Sequence, residues 1–430
     1  MNRRASTLKQ SVYPIIIFIC LFNTLSSFLS NSIADGTGDY PAPIQGDWII
    51  ANDTYVSDEI IIINGNLTVV ENATLTLDNV VLIMNSSRGG ITGIEVDGGS
   101  RLNIYDSNIT ANRHAYYFAV WGNMTMERST ISRIAGGIFT YFGDVYIANS
   151  TVFDSTEYGI ICYGTAVIFN NTIHSNYGGV VSFSGSPLLY NNTITKNEIG
   201  VSCLWGGYVT LIGNEISNNT SSGIIGEWVY MDVRNNTIAS NDGFGIWGHG
   251  AKINATNNQI YGNSKWGIYS LDIRADHNDN IFEKDGRRNG AGNVLLEWEI
   301  FIQIYNSKND PVDGVNLTIW DQHGKMVWSN ETLNNFRVVR LREYEIDSSN
   351  TEIIYTPFIF RTAKGFMSNY TTVDISDKKP ITLILDSQPA SSRPKTELPY
   401  WGRMVIWGIW LFILLLVVVR MITVKIKKKS

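Results

Sequence analysis

The sequence predicts an all-β chain whose main body is a coil of stacked parallel strands, about 10 rungs long, and three observations predict it. Short polar runs recur first: Asn170-Asn171-Thr172-Ile173, Asn191-Asn192-Thr193-Ile194, Asn214-Glu215-Ile216, Asn235-Asn236-Thr237-Ile238, Asn257-Asn258-Gln259-Ile260 and Asn278-Asp279-Asn280-Ile281. Aligned on Val81, Ile109, Ile131, Val152, Ile173, Ile194, Ile216, Ile238, Ile260 and Ile281, the units repeat every 21 or 22 residues, except for a first interval of 28 that holds an inserted loop at Asn85–Gly90. A fixed period of this size means one structural unit stacked on itself. Second, a glycine followed by Ile or Val comes six or seven residues after most anchors, as in Gly159-Ile160, Gly200-Val201 and Gly245-Ile246. Third, an apolar stretch such as Val145-Tyr146-Ile147 or Val209-Thr210-Leu211 closes each unit. Three short strands per unit, joined by tight turns, describe parallel strands, whereas helical repeats need apolar residues at helical spacing and few glycines.

The remaining elements follow in chain order. Residues 1–34 read as a secretory signal peptide: Arg3, Arg4 and Lys9 precede the apolar run Tyr13–Phe22, and small residues at Ser32 and Ala34 suit cleavage. Residues 35–77 form an N-terminal β cap and first rungs, with Ile60–Ile63, Leu67–Val70 and Leu75–Leu77 as strands. Such a cap shields the open end of a stacked core. Residues 78–293 are the coil proper. Residues 294–387 lose the period and read as a seven-stranded β-sandwich with turns at Asn309–Gly314 and Asp321–Gly324. A linker at 388–399 leads to a transmembrane helix at 400–424 and a basic tail at 425–430. The tail stays cytoplasmic by the positive-inside rule, so the expected topology is single-pass in the cell membrane with an extracellular body.

Alternation assigns the faces. Asn171, Asn192, Asn214, Asn236 and Asn258 fall at one turn position, two residues before the anchor, where stacked amides can bond to one another and to backbone. This ladder is structural. Cys162 and Cys203 share an inward column two rungs apart, roughly 9–10 Å by strand spacing, too far for a disulfide. Phe139, Tyr141, Tyr163, Phe183, Trp205, Trp228, Trp247 and Tyr269 fall on or beside an outward face that is apolar where a solvated strand would be polar. Large apolar patches mark binding surfaces, so these residues are the candidate ligand-binding set, for sugar rings or an envelope protein, unless the chain's own C-terminal region or a second copy covers them.

The Asn-Asn-Thr-Ile and Gly-Ile pattern, over about Trp48–Asn293, resembles the right-handed parallel β-helix repeats of the pectin-lyase-like superfamily, and is most similar to its NosD-like branch in archaeal surface proteins. The region after Asn293, with Pro311-Val312-Asp313-Gly314 before a strand and Asp321-Gln322-His323-Gly324 in a hairpin, resembles a carboxypeptidase-regulatory or transthyretin-like domain, though Val315 stands where that family more often has Ala. This resemblance implies a spacer or assembly module.

Composition limits the chemistry. With a net charge of −6 and 17% charged residues, no basic stripe serves a nucleic-acid partner. Sequons recur, and Asn52, Asn66, Asn72, Asn123, Asn235, Asn316, Asn330 and Asn369 are glycosylation candidates. Glu227 and His249 fall at matching positions of adjacent rungs, so a carboxylate and an imidazole within reach could do acid–base work. Gly248-His249-Gly250 is similar to a short polygalacturonase motif, but the Asp-Asp pair and Arg-Ile-Lys run of that family are missing. His114, His174, His249, His277 and His323 are scattered without ligand spacing, so neither a metal nor another cofactor is expected. The sequence thus leads to a membrane-anchored, non-catalytic surface protein for adhesion, envelope assembly or glycan binding. Two alternatives stand beside it: a polysaccharide lyase or glycoside hydrolase using Glu227 and His249, and a NosD-like metal-handling accessory protein.

Overall fold

The computed structural model describes residues 40–385, apart from 274, 276, 278, 279, 284–291, 332–334, 366 and 376–378. The expected signal peptide, linker, membrane span and basic tail lie outside the described residues. Among the described residues there are only strands and turns, and no helix is long and apolar enough to cross a membrane.

Three parallel sheets run along the coil. Each turn gives one short strand to each sheet, so a strand pairs with its equivalent one turn later. Thr172–His174 pairs with Thr193–Thr195 in the register Ile173↔Ile194. The first sheet takes 11 strands in this way, from Trp48–Ile50 to Ile268–Leu271, so the coil has about 11 turns, one more than the repeats count.

The Asn-Asn-Thr-Ile run has a local explanation. Its first residue makes the corner in the left-handed conformation: φ is 49° at Asn149, 52° at Asn170, 54° at Asn191 and 56° at Asn235 and Asn257. Asparagine tolerates this region better than most residues with a Cβ, and Gly213 takes the same place in another turn. The second asparagine then points inward, the threonine outward and the isoleucine into the core. Ile109, Ile131, Val152, Ile173, Ile194, Ile216, Ile238 and Ile260 are all fully buried.

Two anchors are corrected at the coil's ends. Ile109 pairs with Leu82, not Val81, and Ile260 pairs with Phe282, not Ile281, which is exposed. A one-residue change in turn length exchanges the faces of a strand, so a count by period alone slips there. The amide column accordingly reaches Asn280.

The inward column is continuous. Ser107 Oγ accepts from the Val80 N–H, Ser129 Oγ from Ser107, Ser150 Oγ from Ser129, and Asn171 Oδ1 from Ser150. From Asn192 to Asn280 each amide oxygen accepts the backbone N–H of the preceding rung and also its side-chain Nδ2. A second ladder, Asn176, Asn197, Asn219, Asn241 and Asn263, repeats the backbone pattern at the next corner. Cys162 and Cys203 are free and buried.

After the coil the first sheet does not stop. Val294–Tyr305 pairs in parallel with Ile268–Leu271, then takes Phe336–Ile346 antiparallel and Ile381–Ile384 parallel. Glu352–Ile354 adds to Phe336–Ile346 as a strand that the sequence reading lacked. A separate antiparallel sheet is ordered Met326–Glu331, Asn316–Trp320, Phe358–Lys364, Met367–Val373. The coil therefore runs directly into an antiparallel β region through one shared strand.

Candidate functional site

The outer face of the first sheet carries the aromatic set. Register places Trp121, Tyr141, Tyr163 and Phe183 at successive turns. Flat rings held at roughly the 4.8 Å strand spacing stack on one another. Centroids are 3.7 Å apart for Trp121 and Tyr141, 5.2 Å for Tyr141 and Tyr163, 5.4 Å for Tyr163 and Phe183, and 5.3 Å for Phe183 and Trp205. The rings of this face largely cover one another. Phe139, Tyr141, Phe183 and Tyr269 are buried, and Tyr163, Trp205 and Trp247 are half-buried. Alternation gives the direction of a side chain, but the rings then cover each other. Their stacked faces are already in contact with protein, so most of this column is an outer apolar core.

Trp228 differs. It is 54% exposed. It belongs to a corner column of left-handed residues that follows the strand ends: Ser184, Trp205, Trp228, Gly250 and Asp272, with φ 57°, 62°, 55°, 58° and 70°. A bulky residue is rare in that region and costs about 1–2 kcal/mol there. The Trp228 ring lies on Gly250, where a Cβ would come within 2.5 Å of ring carbon Cε3. One ring face thus rests on backbone.

Beside it stands the predicted pair. Glu227 and His249 are direct partners in register. The His249 ring packs 5.1 Å from Trp228 and 6.2 Å from Trp247, measured between centroids. Its Nε2, however, faces Asp272 Oδ2 at 3.4 Å, from the next turn along. Asp272 has a side chain only 2% exposed, and its Oδ1 accepts the Glu299 N–H at 2.7 Å. Glu299 Oε1 in turn accepts from Arg340 Nη2 at 2.6 Å. Tyr269 donates to Glu297 Oε2 at 2.7 Å, and burial first, then the Glu297 charge, pushes the phenol pKa up.

Sequence reasoning found Glu227 and His249 but missed Asp272, Glu299 and Arg340. The signal for the acids was present: Asp272 immediately follows Leu271 of the same strand column, and Glu297 and Glu299 alternate on the shared strand. It went unread because the period breaks between them. Ligand atoms of His249, Asp272 and Glu299 lie within 4.8 Å of one another, the group of this kind among the described residues.

The glycosylation candidates divide by environment. Asn52, Asn72, Asn235, Asn316 and Asn330 are exposed. Asn66 and Asn123 are half-buried and accept backbone N–H groups of Gly93 and Asp144, and Asn369 Nδ2 donates to the Ile384 carbonyl.

Residues 143–283 match the family described as Right handed beta helix region. No curated protein matches the chain. Among solved structures, the chain is similar to the periplasmic alginate epimerase AlgG at 14% identity, with a TM-score of 0.44, over 61% of this chain and 76% of that one. It is similar to the Azotobacter vinelandii mannuronan C-5 epimerase AlgE6 A-module at 14% identity, TM-score 0.41, over 57% and 89%. It is also similar to PfbA, a surface adhesin of Streptococcus pneumoniae, at 10% identity, TM-score 0.26, over 69% and 89%. Epimerisation and adhesion belong to those proteins and carry no argument here. The turns that bear the aromatic stack, Trp228 and His249 are a right-handed parallel β-helix.

Proposed function

We propose that this chain is a membrane-anchored, extracellular and non-catalytic β-helix protein that binds glycan at the Trp228 end of its first sheet, in adhesion or envelope assembly. In this reading residues 294–387 are a carboxypeptidase-regulatory-like spacer, and residues 400–424 are the anchor. One observation carries it: Trp228 holds a left-handed corner at a cost in backbone energy, rests on Gly250, and still keeps 54% of its surface exposed. A corner needs only Gly, Asn or Ser, so the indole is not there for the turn. An amphipathic ring with one face supported, beside the half-buried Glu227 and His249, suits the apolar face and hydroxyls of a sugar.

The experiment is retention of the purified full chain on a glycan array. Retention without cleavage, lost in Trp228→Ala, is the expected result. A second reading, acid–base cleavage of a polysaccharide, draws on the 3.4 Å approach of His249 to the buried Asp272. Release of shortened glycan by wild type, abolished by Glu227→Gln or His249→Ala, would replace the first reading with the second.

A further inference from the structure

We propose that His249, Asp272 and Glu299 form a binding site for a divalent transition-metal ion, with Zn2+ the ion that their donors fit. Three different segments supply them: the strand Ile246–His249, the corner after Ile268–Leu271, and the shared strand Val294–Tyr305. One ligand atom from each lies within 4.8 Å of the others.

The distances favour an ion over a direct contact. His249 Nε2 and Asp272 Oδ2 are 3.4 Å apart. That is longer than the usual span of an N–H···O bond, about 2.7–3.2 Å. Zn2+ bonds of about 2.1 Å in a tetrahedron place neighbouring ligand atoms about 3.4 Å apart.

Both carboxylates are also oriented as ligands are. Asp272 Oδ1 is fixed by the Glu299 N–H, which turns Oδ2 toward the imidazole. Glu299 Oε1 is fixed by Arg340. Second-shell donors of this type set the direction of the coordinating oxygen.

The donor set separates the candidate ions. Ca2+ seeks six to eight oxygens at about 2.3–2.6 Å, and this site offers one nitrogen and two carboxylates. Two carboxylates and a neutral imidazole offer a divalent ion three donors, with the Arg340 guanidinium already paired to Glu299. Three protein ligands leave a fourth position open. The inference holds whether or not the chain retains glycan, because its test uses the metal alone.

The test is calorimetric titration of Zn2+ into the full chain after chelator treatment, with visible absorption of the Co2+-loaded protein as a second readout. The expected result is one site per chain, weakened at least about 100-fold in His249→Ala and Asp272→Asn. Glu299→Gln, at a half-exposed position that endangers folding less, weakens it as well and alters the Co2+ spectrum. Circular dichroism confirms the fold of each variant. Equal Zn2+ affinity in wild type, His249→Ala and Glu299→Gln would overturn the proposal. So would displacement of Zn2+ by an equal concentration of Ca2+.

Discussion

Asn192 gives both its backbone N–H and its side-chain Nδ2 to one atom, Asn214 Oδ1, across 2.9 Å each. The same Nδ2 also reaches the Ile168 carbonyl at 2.7 Å, and Asn192 Oδ1 receives the equivalent pair from Asn171. One side chain therefore satisfies polar groups of three successive turns, all in the buried interior.

Asn192→Ala strands the buried Asn171 backbone N–H, takes one of two acceptors from Asn171 Nδ2, which keeps the Ile147 carbonyl, and removes the amide donor from the Ile168 carbonyl. At about 1–3 kcal/mol for each stranded group, partly relieved by relaxation, the expected loss is about 3 kcal/mol. Asn192→Ser costs less, about 1–2 kcal/mol, because a hydroxyl at this place accepts the preceding N–H, as Ser150 Oγ does from Ser129 at 3.0 Å. Urea unfolding midpoints of the three proteins decide it. Equal midpoints for the Ala and Ser variants would show that the N–H cap contributes nothing.

The ladder was legible because every inward corner must solve the same hydrogen-bonding problem, and the same residue type solves it each time. The Glu227–His249 adjacency was legible for the same reason, since parallel register maps equal positions onto neighbours. Asp272 was not, because it sits in a corner whose successor lies beyond a break in the period. Arg340 was further from reach: it meets Glu299 across 41 residues, through an antiparallel return that no repeat announces. The burial of Tyr141 was hidden for another reason. A pattern of outward residues says nothing of what lies on top of them, and here the cover is the neighbouring rings.

Tyr141 tests that distinction. It stacks between Trp121 at 3.7 Å and Tyr163 at 5.2 Å. Tyr141→Ala opens a gap in the stack and is expected to cost about 3 kcal/mol, within the range for a buried aromatic. Glycan retention at saturating glycan stays at the wild-type level, since the ring faces are engaged with each other and not with ligand. Loss of retention in a variant of unchanged thermal midpoint would make the stack a binding surface after all.

The cysteines give a pH dependence with a definite sign. Burial pushes the Cys162 thiol up from 9.0 to about 12, and burial also raises Cys203. A thiol whose folded pKa is raised contributes stability that is complete below its unfolded value and lost as pH rises through the folded one. The window is therefore about pH 9 to 12. Cys162→Ser, placed beside Ser182 in the same column, removes the Cys162 share of that slope while other groups keep theirs. The difference between the two stability–pH curves isolates it. In the native protein at pH 8, both thiols resist maleimide and react only on unfolding, and labelling of either at the rate of a free thiol would contradict their burial.

Gly250 carries the last prediction. At φ +58°, an added methyl meets backbone strain of about 1–2 kcal/mol. It also meets the Trp228 ring, at 2.5 Å from Cε3 and 2.6 Å from Cζ3, inside any tolerable contact. Backbone is the stiffer partner, so the indole leaves its seat. Gly250→Ala is thus expected to lower stability by about 1–2 kcal/mol and to abolish glycan retention as fully as Trp228→Ala, although residue 250 offers a ligand nothing but a methyl group. Gly98→Ala, where a Cβ meets nothing within 4 Å, is the matched control and should leave retention unchanged. If Gly250→Ala keeps full retention while Trp228→Ala loses it, the supported ring face is irrelevant, and the corner strain at Trp228 needs another reason.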